Sequence, residues 1–216
     1  ETPFAIAGAD TWTLNGYHQL ALATATGGGK EANDYLRFSK PNAIKSSDSV
    51  LKDDFRLLDL FRKKGAMQTN WQGAGYTDVA RGDALMTPNG SWAITAINAQ
   101  DPKFNVGTFP FPGKQKGQSL TIGAGDLAWS ISSSSKHKKE ANAFVEYMSR
   151  PEVMQKYYDV DGSPTAIEGV KEAGSDAPLA GLAELAFTDR HLVWLAQDWT
   201  SESDFYTLTG NYITTG

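Results

Sequence analysis

Residues 82–93 read Gly-Asp-Ala-Leu-Met-Thr-Pro-Asn-Gly-Ser-Trp-Ala, and this stretch says most about the fold of the chain. The apolar residues 84–86 predict a short buried strand, and the Pro-Asn-Gly-Ser sequence after them is typical of a turn. The turn delivers Trp92 to the start of a short helix, where the side chain is expected to be exposed. Because Gly90 has no Cβ, a ligand can approach the backbone and the indole ring together. A tryptophan face offers the flat apolar surface that the C–H face of a sugar ring needs.

The composition of the whole chain is that of an ordinary globular protein. It has 216 residues, of which 40% are hydrophobic and 21% charged, and its net charge is −5. This acidic balance disfavours a general attraction to nucleic acid or to an anionic membrane. The absence of cysteine excludes a disulfide scaffold and a thiolate metal site. No run of residues is long and apolar enough to span a bilayer, and no signal peptide precedes Glu1. The chain is therefore expected to be the mature or trimmed product of a longer precursor, or a fragment.

Strand patterns and helix patterns alternate along the chain. Short apolar runs predict strands, and apolar residues three or four positions apart predict helices such as 51–63. The alternation predicts the α/β class, with helices packed around a small mixed sheet. The predicted strands are 4–7, 84–86, 106–109 and 120–131. The predicted helices are 12–26, 51–63, 91–98, one that includes 141–148, 149–158 and one from 203 onward. A helical turn is expected at 76–81, a capping box at the start of 149–158, and mostly helix over 165–196.

The motifs of the common enzyme classes are incomplete in this sequence. The histidines at 18, 137 and 191 have no metal-site spacing, and His18 and His137 are expected at the surface. The glycines at 27–29 fail the spacing of a phosphate loop, and those at 123–125 lack the third glycine of a dinucleotide site. A pair of carboxylates for glycoside hydrolysis can always be chosen from 25 acidic residues. We therefore expect neither catalytic residues, nor a metal, nor a cofactor.

Further motifs follow one another in a fixed order. They are Asp10-Thr11-Trp12, a helix ending in Gly27-Gly28, the Asn89–Trp92 turn, Phe109-Pro110-Phe111-Pro112-Gly113, Gly123-Ala124-Gly125, Ser135–Ala141 and Phe144–Glu152. In this order and spacing, the motifs resemble the extracellular solute-binding proteins of bacterial carbohydrate ABC transporters. The resemblance runs over nearly the whole chain.

The resemblance implies a periplasmic-binding-protein-like lobe of type II, with the first lobe largely missing. Residues 1–130 correspond to the second, C-terminal lobe. Residues 131–163 correspond to a helical segment that in the family returns to the first lobe. Residues 164–216 correspond to the closing helices of the second lobe.

The resemblance also implies a mechanism without bond making or breaking. A sugar or oligosaccharide would be held in an aromatic-lined cleft between two lobes that close by hinge motion, and the protein would then dock on the permease subunits of an ABC importer. The expected location is extracellular, either anchored at the cell surface as a lipoprotein or periplasmic, and the expected state is a monomer. A carbohydrate-processing enzyme domain and a protein-interaction module are the alternatives.

Nine residues are the candidate ligand-binding residues under this resemblance. Trp92 is expected to stack on a sugar ring, and its neighbours supply hydrogen-bond donors at a helix start. Asp10 and Trp12 lie where the first helix of the cleft begins, and Trp199 belongs to the far wall. Asp126, next to Gly125 at the expected hinge crossing, has a carboxylate that suits two adjacent hydroxyls. The candidates are Trp92, Trp12, Asp126, Asn89, Gly90, Ser91, Asp10, Gly125 and Trp199. Of the other tryptophans, Trp71 is a possible rim contact, and Trp129 and Trp194 are expected in the core.

Overall fold

The structure of this chain, a computed structural model, combines helices with short strands. It describes residues 2–6, 10, 12–36, 44–63, 75–123, 125, 128–163, 165–171, 179–183, 185 and 188–215. The elements in chain order are β1 (Thr2–Phe4), α1 (Thr13–Thr26), α2 (Gly29–Leu36), α3 (Ser49–Arg62), α4 (Tyr76–Arg81), β2 (Ala84–Met86), α5 (Trp92–Asn98), β3 (Thr121–Gly123), α6 (Lys138–Met148), α7 (Pro151–Asp161), α8 (Ala180–Ala183), β4 (His191–Val193), a 3₁₀ turn (Leu195–Asp198) and α9 (Glu202–Thr215). The predicted α/β class is confirmed.

The described strands form two separate parallel pairs. β1 pairs with β2, with Thr2 opposite Ala84 and Phe4 opposite Met86. β3 pairs with β4, with Thr121 opposite His191. One antiparallel bridge joins Phe111 to Leu120. The described residues thus contain small sheets, as predicted, but divided into two pairs, and which strands pair depends on segments that lie far apart in the sequence.

Helix α1 is the centre of the helical layer, where it packs against α2, α3 and α9. Leu14, Leu58 and Phe61 are fully or almost fully buried between α1 and α3. The ring of Phe61 lies edge-on to Tyr17, with 4.3 Å between the ring centres. Each large apolar side chain buried in this way stabilises the fold by about 1.5–3 kcal/mol. Burial also raises the pKa of Tyr17 to about 12.

A second cluster of small apolar side chains lies below the Pro-Asn-Gly-Ser turn. It contains Ala5, Val79, Ala80, Ala84, Ala93 and Ile97. Because alanine side chains are short, α4 and α5 lie close to the β1–β2 pair and to each other. This cluster fixes where the turn and its tryptophan are placed.

Helices α6 and α7 have no buried residue. Phe144, Tyr147 and Val160 are all exposed. The ring of Trp129 lies edge-on to Phe144 at 5.2 Å and is 54% exposed. The expectation that Trp129 belongs to the core was wrong, because in this structure its main ring contact comes from an exposed helix.

Several predicted elements differ from the observed ones. Residues 106–109 form no strand, and the described residues of the strand region predicted at 120–131 contain β3 and the bridge at Leu120. The described part of 165–196 contains the short α8 and β4 rather than mostly helix. Helix α2 was not predicted, because the three glycines look like a stop signal. Gly27 does end α1, but Gly29 begins the next helix.

Two local predictions about side chains were also wrong. The capping box predicted at the start of α7 is not formed, because the N-cap residue is Arg150 and its side chain makes no capping hydrogen bond. The hydroxyl of Ser149 instead donates to the Val145 carbonyl oxygen at 2.9 Å. His18 is buried rather than at the surface.

Within the described ranges, no helix is long and apolar enough to cross a membrane, and no group of three or more His, Asp or Glu side chains could hold a metal ion.

Candidate functional site

The predicted strand, turn and helix around residues 82–93 are present in the structure. β2 covers Ala84–Met86, and Trp92 is the first residue of α5. Ala93, Ile94 and Ile97 face inward and hold α5 on the core. The side chain of Trp92 remains 46% exposed. The helix thus buries its apolar side while its first residue presents a large aromatic ring at the surface.

The Trp92 ring is held at two points. Its indole Nε1–H donates a hydrogen bond to the Tyr76 hydroxyl oxygen at 3.1 Å. At Gly90, a Cβ atom would lie only 2.1 Å from Cζ3 of the ring. The ring therefore occupies the space that a side chain at position 90 would need.

The polar groups of the turn are uncharged. The Gly90 N–H donates to Asn89 Oδ1 at 2.9 Å, which braces the turn. The hydroxyl oxygens of Ser91 and Ser163 are 3.0 Å apart and share a hydrogen bond. These groups suit a neutral ligand with many hydroxyls. In the neighbouring helix α4, the pKa of Asp78 is raised, mainly by burial of its carboxyl group and secondly by the negative charge of Asp83.

Tyr76 and Ser163 were missed as members of this site. The sequence marks residues 161–164 only as a turn, and Gly162 does end α7 in a left-handed conformation. No signal links Tyr76 to Trp92, because they belong to different helices. A spacing rule within one element detects neither of them.

Asp10 and Trp12 form the start of α1. The Asp10 carbonyl accepts hydrogen bonds from both the N–H and the hydroxyl of Thr13 at 2.9 Å. Trp12 is the N-cap residue of α1 and, like Trp92, is 46% exposed.

The topology relates these two aromatic positions. β1 and β2 are parallel neighbours, so their carboxyl ends lie at the same edge of the pair. Trp12 follows β1, and Trp92 follows β2. In α/β proteins, ligands bind outside the carboxyl ends of the strands. Trp92 begins the helix that follows β2 and its turn, and Trp12 comes after β1 in the chain.

The remaining candidates follow the second strand pair. Gly125 comes after β3 and is exposed, and Trp199 comes after β4 and the 3₁₀ turn. The indole N–H of Trp199 donates to Asn33 Oδ1 at 3.3 Å, and its ring lies 4.6 Å from that of Phe205. Trp199 is thus partly engaged in packing. Asp126 and Trp71 lie outside the described residues.

Two cavities of the described part of the chain lie away from the exposed tryptophans. One shallow cavity of about 140 Å³ lies between α1, α3 and residues 112–114. Another of about 430 Å³ lies between α2 and β4. Neither of these two cavities is lined by Trp12 or Trp92, each of which keeps 46% of its surface in solvent.

The sequence matches proteins that bind solutes outside bacterial cells. The model of a family described as bacterial extracellular solute-binding protein matches residues 4–181. A multiple sugar-binding protein of Streptococcus mutans is 58% identical over 219 aligned positions, which cover 100% of this chain and 52% of that protein.

Solved structures agree with this match. The solute-binding protein RafE in complex with raffinose is 74% identical and superposes with a TM-score of 0.94, over 100% of this chain and 57% of that one. The apo form of RafE from Streptococcus pneumoniae is also 74% identical, with a TM-score of 0.85 and 56% of its chain covered. The present chain spans about half the length of these relatives.

Proposed function

This chain belongs to the bacterial extracellular solute-binding proteins, and on that premise we propose that it helps to hold a sugar or oligosaccharide for an ABC importer. The ligand is bound and released unchanged. Raffinose is the first ligand to test, because RafE, which is 74% identical, was solved with raffinose.

One observation carries this proposal. Trp12 caps the start of α1 and Trp92 begins α5, and each of these large apolar side chains keeps 46% of its surface in solvent. Both follow the carboxyl ends of one parallel strand pair. Aromatic faces next to uncharged hydroxyl and amide groups are the surface that a saccharide needs. The other candidates, including Asp126 and Trp199, complete the site in this proposal.

We place the binding site in half of a cleft. Residues 1–130 and 164–216 form one lobe, and residues 131–163 return to a first lobe that this chain lacks. Two facts support this division: α6 and α7 bury no residue, and the chain spans about half of its relatives. The first lobe would cover the exposed side chains of both helices.

We further propose that the cleft closes by a hinge. The raffinose complex of RafE superposes on this chain more closely than apo RafE does, at the same identity. The two RafE structures thus differ in conformation within the part that this chain matches. The closed form would dock on permease subunits as a monomer, at the cell surface or in the periplasm.

Calorimetry with raffinose tests the proposal in the full-length protein that carries this chain. We expect Trp92→Ala to weaken binding about tenfold or more, which corresponds to about 1.4 kcal/mol. Phe104→Ala is the matched control, because Phe104 is equally exposed and lies outside the turn. The isolated chain should bind weakly, since only one side of the sugar is desolvated.

The other outcomes separate the alternatives. Chromatography of the recovered raffinose should find it intact, and hydrolysis would favour a carbohydrate-processing enzyme. Equal effects of Trp92→Ala and Phe104→Ala would remove Trp92 from the site. No binding of raffinose or of any other oligosaccharide by the full-length protein would contradict the sugar-binding function.

A further inference from the structure

We propose that Tyr76 is a positioning residue that fixes the orientation of the Trp92 ring. Together with the open space at Gly90, it makes Trp92 a rigid stacking surface that offers a ring face and no hydrogen-bond donor. This inference rests on the proposed sugar-binding function and identifies the residue that orients Trp92, the main sugar contact in that proposal.

The hydrogen bond to Tyr76 uses the only donor of the Trp92 side chain. The indole Nε1–H points to the Tyr76 hydroxyl oxygen at 3.1 Å. A ligand hydroxyl therefore cannot accept this hydrogen bond without breaking the contact to Tyr76. What remains for a ligand is the exposed surface of the ring.

The opposite end of the indole is held by the backbone at Gly90. A Cβ there would lie 2.5, 2.1 and 2.2 Å from Cε3, Cζ3 and Cη2 of the Trp92 ring. Gly90 is not among the described glycines with a positive φ. Position 90 therefore needs glycine because of space, not because of backbone conformation.

The residue that accepts the hydrogen bond is itself fixed. Tyr76 is the first residue of α4, directly after Gly75, whose φ is 74°. A Cβ at Gly75 would lie 2.8 Å from the carbonyl oxygen of Ala5. This close approach sets the start of α4 against the end of β1. Val79 of α4 and Ala93 of α5 share one buried cluster, so donor and acceptor lie on helices with a common core.

Holding the ring before the ligand arrives lowers the entropic cost of binding. An exposed side chain that must be immobilised by its ligand reduces affinity by several-fold. We therefore expect the loss of the Tyr76 hydroxyl to weaken sugar binding about three- to tenfold. The loss should be smaller than that in Trp92→Ala, because the stacking surface itself is kept.

The test uses Tyr76→Phe, which keeps the ring of residue 76 and removes only the hydroxyl. The spectroscopic signal of Trp92 is isolated by subtracting, from the signal of each protein, the signal of the same protein with the added substitution Trp92→Phe. Near-ultraviolet circular dichroism and acrylamide quenching of this difference signal are measured without ligand. Tyr206→Phe, on α9, is the matched control.

We expect Tyr76→Phe to reduce the Trp92 dichroism and to increase its quenching, with Tm close to that of the control. Raffinose affinity of the full-length protein should fall about three- to tenfold. Gly90→Ala should disturb the same Trp92 signal, because a Cβ at position 90 would overlap the ring, and it tests this second contact separately from the Tyr76 hydroxyl. An unchanged Trp92 signal in these variants would overturn the inference.

The two proposals fail separately. The spectra need no ligand, so they decide the role of Tyr76 even if raffinose does not bind. If raffinose binds and Trp92→Ala weakens it, while Tyr76→Phe changes neither spectra nor affinity, the sugar-binding function stands and the positioning role is wrong.

Discussion

At the scale of single residues, His18 has a role that its sequence context did not indicate. His18 Nε2 lies 2.9 Å from Asp54 Oδ2, and Nδ1 lies 2.6 Å from the Thr209 hydroxyl. The same hydroxyl also lies 2.8 Å from the Phe205 carbonyl oxygen. The ring also stacks on Phe205 at 4.3 Å. His18 thus joins α1, α3 and α9 in the core.

Removal of one member of this group should destabilise the protein strongly. Asp54→Ala leaves the buried His18 ring without one of its hydrogen-bond partners, and we expect a loss of about 1–3 kcal/mol in the free energy of unfolding. Urea denaturation measures this loss. Asp34→Ala is the control, because Asp34 pairs with Lys30 at the surface, and it should change stability little. Similar effects of the two variants would contradict the structural role of the buried pair.

At the scale of elements, the first two helices meet at a pair of glycines. Gly27 ends α1 with a φ of 104°, and its N–H donates to the Ala23 carbonyl at 2.9 Å. The chain then begins α2 at Gly29, where a Cβ would touch the Leu192 side chain at 3.3 Å. The glycine signal at the end of α1 was predicted from the sequence. The new helix was not, because its support comes from β4, far along the chain.

Gly27→Ala should therefore destabilise the fold through the backbone alone. No atom lies within 4 Å of a Cβ built at Gly27, so only the left-handed conformation is penalised. We expect a loss of about 1–2 kcal/mol in the free energy of unfolding, measured by chemical denaturation. Gly107→Ala is the matched control, since its Cβ also meets nothing and its φ is not positive. Equal stability of the two variants would show that the cap contributes nothing.

At the scale of the whole molecule, the distribution of exposed apolar groups is uneven. α1, α3 and α9 bury their apolar residues in one core, whereas α6 and α7 bury none. Phe144, Tyr147, Tyr157 and Val160 all remain exposed on these two helices. An exposed apolar surface of this kind is typical of a contact with another part of the protein. Under the proposed function, that part is the first lobe.

Val160→Ser tests this contact. In the isolated chain we expect Tm to change little, because Val160 is already exposed. In the full-length protein we expect a lower Tm, because the same substitution removes a buried apolar group. Leu208→Ser, at an exposed position on α9, is the control and should change Tm little in both forms. Equal shifts of Tm for Val160→Ser in the isolated chain and the full-length protein would contradict a lobe contact at α7.

The candidate site was predicted only as far as local patterns reach. The β2–turn–α5 unit and the exposure of Trp92 follow from neighbouring residues, whose periodicity and turn chemistry act over one or two turns of chain. The roles of Tyr76 and Ser163 do not, since each contacts the turn from another element. The other site candidates, Asp126 among them, remain predictions.

Local sequence patterns were enough to predict the α/β class, the main helices α1 and α3, and the strand and turn that present Trp92. The pairing of the strands, the burial of His18 against Asp54 and Thr209, and the hydrogen bond between Tyr76 and the indole ring depend on contacts between distant segments. The difference lies in the distance along the chain over which each interaction acts. Propensity, capping and periodicity act between near neighbours, whereas burial and hydrogen bonding join residues such as His18 and Thr209, which are 191 positions apart.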